Sequence, residues 1–120
     1  MKKILVVDDE SGIRRLFRVI ITSSHPEYSV KEAGNGLEAL ETLESGEFDL
    51  VISDIEMPKM TGLELAREIK SRFPQALIML TTGKMGQYME DILALGIDGR
   101  LSKPCKAEEL QSKVDQLLAG

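Results

Sequence analysis

Apolar runs and helical periodicity alternate from one end of this chain to the other, and that alternation leaves few architectures open. A series of strand-helix units buries both kinds of apolar surface by forming a parallel sheet with helices on its two faces. Five units can be read. "KILVV" is a strand, and Ile13, Leu16, Phe17, Ile20 and Ile21 follow at offsets 0, 3, 4, 7 and 8, with Arg14, Arg15 and Arg18 on the opposite face. "YSVKEA" alternates apolar and polar residues, and Asn35 then opens an N-x-x-E cap with Glu38 ahead of Leu37, Leu40 and Leu43. "DLVIS" precedes a turn with Pro58 and Gly62 and a helix through Leu65, Ile69 and Phe73. "ALIML" precedes Met85, Tyr88, Met89, Ile92 and Leu93, again spaced 0, 3, 4, 7, 8, until Gly96 stops the helix. "GRLS" is a short fifth strand, and Ala107, Leu110, Val114, Leu117 and Leu118 form the last helix.

Strand polarity orders the sheet. The first, third and fourth strands are apolar on both faces, as interior parallel strands must be; the second alternates and the fifth is short and polar, as edges can be. The order 2-1-3-4-5 follows, in a doubly wound flavodoxin-like (βα)5 sandwich whose ligand crevice lies beyond the carboxyl ends of strands one and three. At 120 residues the chain is read as one domain, residues 1–120, without linker, repeat or low-complexity segment.

Several function classes fall away on composition. Acidic residues outnumber basic ones 20 to 15, and the net charge of -5 argues against direct nucleic-acid or anionic-membrane binding. No apolar run reaches transmembrane length and no secretory leader is recognisable, so a cytoplasmic location is expected. One cysteine, Cys105, makes neither an internal disulfide nor a thiolate zinc site.

The strand ends carry the chemistry. "ILVVDDE" delivers Asp8 and Asp9, "VISDIEMP" delivers Asp54, "IMLTTG" delivers Thr81 and Thr82, and "LSKP" delivers Lys103, all to one edge of one sheet. Crowded carboxylates repel and call for a cation. A few hard oxygen ligands suit Mg²⁺, which keeps some waters and bridges carboxylates to a phosphoryl group. Asp54 is then the nucleophile, with Lys103 and the Thr81 hydroxyl on the phosphoryl oxygens. Singly, an Asp pair is more often a cap or turn, a Lys-Pro a turn, and a strand-end Thr ordinary β propensity. Their convergence is what those separate readings do not account for.

The set "VVDDE", "ISDIEMPKMTG", "IMLTTG" and "SKP", in this order, resembles the response-regulator receiver domains of two-component signalling over essentially the whole chain, chemotaxis regulators included. The resemblance implies Asp54 as phosphoacceptor, Asp9 as direct Mg²⁺ ligand, Asp8 as ligand largely through water, and Glu56 as donor of a backbone carbonyl. It further implies Thr81 and Lys103 as catalytic partners and a cis bond before Pro104. Phosphoryl groups would come from a histidine kinase or phosphotransfer protein, with self-catalysed dephosphorylation and no other enzymatic activity. Output would pass through helix 4, strand 5 and helix 5 to a protein target, an attached output domain or a phosphorylation-dependent dimer.

Three positions depart from the family pattern. Arg100 stands where a switching Tyr or Phe is usual, Cys105 where Phe is frequent, and Thr82 where alanine is common. Two hydroxyls therefore stand at the end of strand four, and spacing to Lys103 favours Thr81. Rival readings are weaker: "DDESG" would repel the phosphate of a flavin nucleotide, and "DIEMP" lacks the second aspartate of a haloacid-dehalogenase phosphatase. A non-phosphorylated interaction module leaves the complete acid, hydroxyl and lysine set without purpose.

Overall fold

The computed structural model describes residues 1–119. Strands and helices alternate as β1 (Lys3–Val7), α1 (Ser11–Ser24), β2 (Ser29–Ala33), α2 (Gly36–Glu44), β3 (Leu50–Asp54), α3 (Gly62–Arg72), β4 (Leu77–Thr82), α4 (Met85–Leu95), β5 (Gly99–Ser102) and α5 (Ala107–Leu118). All five strands are parallel, in the order β2-β1-β3-β4-β5. The expected fold and strand order are thus both found.

The layering follows from the handedness of crossovers. The chain leaves β1 toward β2, then steps back past β1 to β3 and onward to β4 and β5; right-handed connections put α1 on one face and α2, α3 and α4 on the other. Ile4, Val6, Leu50, Ile52, Met79 and Leu101 bury against Phe17 and Ile21 of α1 and Leu110, Val114 and Leu118 of α5. Leu5, Val7, Val51, Ile78 and Leu80 bury against α2, α3 and Ile92 of α4. Each fully buried aliphatic side chain contributes about 1.5–3 kcal/mol, so the two-sided central strands β1, β3 and β4 fix the frame.

Local signals set the ends of the elements. Thr61 Oγ1 accepts from the Glu64 N–H at 3.2 Å while Glu64 Oε1 accepts from the Thr61 N–H at 2.9 Å, closing a capping box on α3. Asn35 Oδ1 caps α2 through the Glu38 N–H at 2.9 Å, whereas the Glu38 carboxylate reaches one residue further back, to Gly34. Gly96, at φ 65°, ends α4 in the left-handed region that favours glycine. Helix α4 starts without a side-chain cap, and Ile92 is its one buried residue.

Helical periodicity overstated the buried faces. Leu16, Leu37 and Leu93 are 51%, 50% and 67% exposed. Each helix rests on the sheet along one line, such as Phe17–Ile21 in α1, and residues a third of a turn away remain outside it. Nor is the basic side of α1 merely solvated: Arg14 and Arg18 both pair with Glu32 of β2.

His25, beyond α1, stacks on Tyr28 at 4.3 Å and places Nε2 2.7 Å from Asp115 of α5 and Nδ1 3.3 Å from Glu27. The hydrogen bond to Asp115 dominates and raises the His25 pKa above 6.5; that bond also lowers Asp115 below 3.8. A raised histidine stabilises the fold fully below its unfolded pKa and loses that contribution as pH climbs through the folded value, whereas Asp115 contributes until pH falls through its own. The melting temperature should therefore fall as pH is raised from about 6 to about 9, and His25→Gln should flatten that part of the curve. A wild-type curve as flat as the variant's would mean that the pair is energetically silent.

Candidate functional site

Strand geometry decides which residues meet at the crevice. Side chains alternate across a sheet, so every second residue of a strand shares a face. On the α1 and α5 face the series runs Ile4, Val6, Asp8 along β1; Leu50, Ile52, Asp54 along β3; Leu77, Met79, Thr81 along β4; and Leu101, Lys103 along β5. In each strand the apolar series ends in a polar residue at the carboxyl end. Asp54 and Thr81 are direct register partners across β3 and β4.

These residues converge. Carboxylate oxygens of Asp8, Asp9 and Asp54 lie within 4.8 Å of one another. Lys103 Nζ donates to Asp8 Oδ2 at 2.9 Å and stands 3.4 Å from Asp54 Oδ2, so one ammonium bridges two of the three acids. Asp8, Asp54 and Thr81 are buried, Lys103 is partly buried and Asp9 is exposed. The bond between Lys103 and Pro104 is cis.

Burial is the largest influence on Asp54 and pushes its pKa above the ordinary 3.8; Lys103 opposes that rise and the charge of Asp8 adds to it. For Lys103, burial disfavours the ammonium, but the hydrogen bond to Asp8 and the charges of Asp54 and Asp8 prevail and raise its pKa above 10.5. The lysine stays charged and the carboxylate is held with difficulty. Such a site favours added positive charge.

The two threonines are separated by the same alternation. Thr82 leaves on the opposite face of β4, where Oγ1 donates to Glu56 Oε1 at 2.8 Å and accepts from the Lys84 N–H at 3.0 Å. Thr81 Oγ1 has one long contact, 3.5 Å to the Ser53 carbonyl. The Glu56 carboxylate is engaged by Thr82 and, at 3.6 Å, by Lys84 Nζ, and does not join the acidic cluster. The Glu56 backbone amide acts on Asp54 in the same direction as Lys103, against the rise in its pKa.

Gly62, which the sequence suggested only as part of a turn, bounds the site from beneath. A Cβ there would sit 2.3 Å from the Asp54 carbonyl oxygen and 2.8 Å from Ile55 Cα, so the first turn of α3 packs directly on the Asp54 backbone. The Gly62 N–H donates to the Ile55 carbonyl at 2.8 Å and the Ile55 N–H to the Thr81 carbonyl at 3.0 Å, so the β3–α3 loop is pinned at both ends.

The donor set suits a small hard cation. Octahedral coordination at about 2.0–2.1 Å puts opposite ligand oxygens about 4.2 Å apart, and the three carboxylates each offer an oxygen within 4.8 Å of the others. The ammonium of Lys103 already shows that this position attracts positive charge.

On the far side of β5, Arg100 is exposed and, among the described residues, makes no ion pair. It borders a hollow of about 310 Å³ together with Met85, Ile92 and Ile97.

Comparison with known proteins agrees with this arrangement. The transcriptional regulatory protein ResD of Bacillus subtilis is 37% identical over 117 residues, 97% of this chain and 48% of that protein. The alkaline phosphatase synthesis transcriptional regulatory protein PhoP, from the same organism, is 33% identical over 98% of this chain and 48% of its own length. The chain thus spans about half the length of these curated relatives. Among solved structures, the response regulator TrrA of Thermotoga maritima, in complex with Mg²⁺-BeF, is 42% identical with a TM-score of 0.85, covering 98% of this chain and 100% of that one. The chemotaxis response regulator CheY4 of Vibrio cholerae is 31% identical with a TM-score of 0.89, covering 98% and 99%. No helix of the described residues is long and apolar enough to cross a membrane. The response regulator receiver domain family matches residues 4–115, and the chain belongs to that family.

Proposed function

We propose that this chain is a phosphorylation-dependent signalling switch in which Asp54 accepts a phosphoryl group from a phosphohistidine of a partner histidine kinase or phosphotransfer protein. The carrying observation is the position of Lys103 Nζ between Asp8 and Asp54, with Thr81 as the register partner of Asp54. An Asp54 oxygen attacks phosphorus as the bond from phosphorus to the imidazole nitrogen breaks, and an acyl phosphate forms while the imidazole leaves. Lys103 keeps one carboxylate and takes a phosphoryl oxygen. Thr81 gives up only its long contact to Ser53, whereas Thr82 would have to leave two good hydrogen bonds. Asp8, Asp9, Asp54 and the Glu56 carbonyl would hold Mg²⁺, which offsets the repulsion between the acids and the incoming phosphoryl oxygens. Attack by water on the same phosphorus later returns Asp54 to a free carboxylate.

Output is assigned to the face made by α4, β5 and α5, where Arg100 stays in solvent and serves as a contact for a protein partner, an attached output domain or a second copy of the chain. The reducing cytosol suits its single thiol, Cys105.

Incubation with acetyl phosphate and Mg²⁺ should add one phosphoryl group at Asp54, read by intact mass. Label that persists in Asp54→Asn, or that forms equally well in chelator, would overturn the assignment. The same substitution removes a buried carboxylate whose ionised form the fold disfavours, so metal-free Asp54→Asn should be more stable by about 1 kcal/mol. A lower melting temperature for the variant would show that the pair with Lys103 outweighs the burial. Arg100→Tyr should change acetyl phosphate labelling by less than about twofold while altering partner or self-association. Loss of amide exchange at β5 of the unmodified protein on beryllofluoride treatment would instead make Arg100 part of the switch.

A further inference from the structure

Asp9 is the exposed member of the acidic cluster, and among the described residues its carboxylate makes no hydrogen bond or ion pair. Its place is therefore set by the backbone that carries it. That backbone is held by three contacts around Asp9: the Asp8 N–H, in the preceding peptide, donates to the Ala33 carbonyl at 3.2 Å; the Glu10 N–H, in the following one, donates to Asp8 Oδ1 at 3.0 Å; and on the Asp8–Asp9 peptide itself Arg14 Nη1 donates to the Asp8 carbonyl at 2.7 Å. Arg14 is itself anchored, since Nε donates to Glu32 Oε1 at 3.2 Å. One guanidinium thus joins the turn after β1 to the end of β2 through two of its donors, which the single ammonium of a lysine cannot reproduce in one plane. The Arg14 and Glu32 side chains are each 19% exposed, shielded enough that water competes poorly for these bonds.

We infer that Arg14, on Glu32 as its anchor, is a positioning residue: by clamping the Asp8 carbonyl it holds the peptide that aims Asp9 into the cation site. This rests on the phosphoacceptor reading above. Arg14 touches neither the acids' carboxylates nor any reacting atom; its effect is to spare the cost of ordering Asp9 when a cation binds. Its loss weakens metal binding and leaves the saturated reaction intact.

The test titrates ¹⁵N-labelled protein with Mg²⁺, following the amide shifts of Asp9 and Glu10, and measures the acetyl phosphate labelling rate at each Mg²⁺ concentration. Arg14→Gln should raise the half-saturating Mg²⁺ concentration about tenfold by both readouts, with the maximal labelling rate kept within about twofold. Arg14→Lys, which keeps the charge but not the fork, should remain at least about threefold weakened. Glu32→Gln should shift in the same direction, and it decides the matter if Arg14→Gln fails to fold. Half-saturation equal to wild type in Arg14→Gln or in Glu32→Gln, full recovery in Arg14→Lys, or a fallen maximal rate at unchanged half-saturation would each overturn the inference. Wild-type protein without Mg²⁺-dependent shifts would overturn the phosphoacceptor reading itself.

Discussion

Everything at the carboxyl edge of this sheet answers to one electrostatic problem, three carboxylates gathered around a point that only positive charge can relieve. Lys103 supplies the internal relief, bonded to Asp8 and close to Asp54. A single ammonium cannot satisfy three acids, so the cluster stays receptive to a divalent ion and to the phosphoryl group that such an ion would escort. Burial sharpens the problem: Asp54 is disfavoured as an anion by its surroundings, and a phosphoryl group added there brings further negative charge, which deepens the demand for a cation.

The fold could be read from the chain because its strongest signals are local and repeated. Alternating strand and helix patterns, two-sided apolar strands in the middle and polar ones outside leave little freedom in strand order. The residues of the site were legible for a related reason, because parallel strands all end at the same edge. Between Thr81 and Thr82 the sequence offered only the spacing to Lys103, which favoured Thr81. The period of two gives the physical reason: Thr81 continues the series of Leu77 and Met79, the face that also carries Asp8, Asp54 and Lys103, while Thr82 belongs with Ile78 and Leu80.

Other features lay beyond sequence reasoning because they depend on tertiary approach. Periodicity put Leu16, Leu37 and Leu93 on apolar stripes, but a helix lying on a twisted sheet buries a narrower line than its stripe. Arg14 looked like one of three solvated arginines, yet it crosses to β2 and to the Asp8 carbonyl. Gly62 looked like a turn glycine, and its requirement is instead the absence of any atom between α3 and the backbone of Asp54.

The pinned loop beneath Asp54 gives the site a mechanical asymmetry. On one side the β3–α3 connection is tied to β4 at Ile55 and to itself at Gly62, and α3 leaves no slack against it. On the other side stands α4, uncapped at its start and seated on the core through Ile92. On that second flank the β4–α4 segment is fastened through side chains, the Lys84 N–H donating to Thr82 Oγ1 at 3.0 Å and Glu56 lying near Lys84 Nζ at 3.6 Å, so the two flanks of Asp54 differ in kind: a backbone weld under α3 and side-chain ties toward α4.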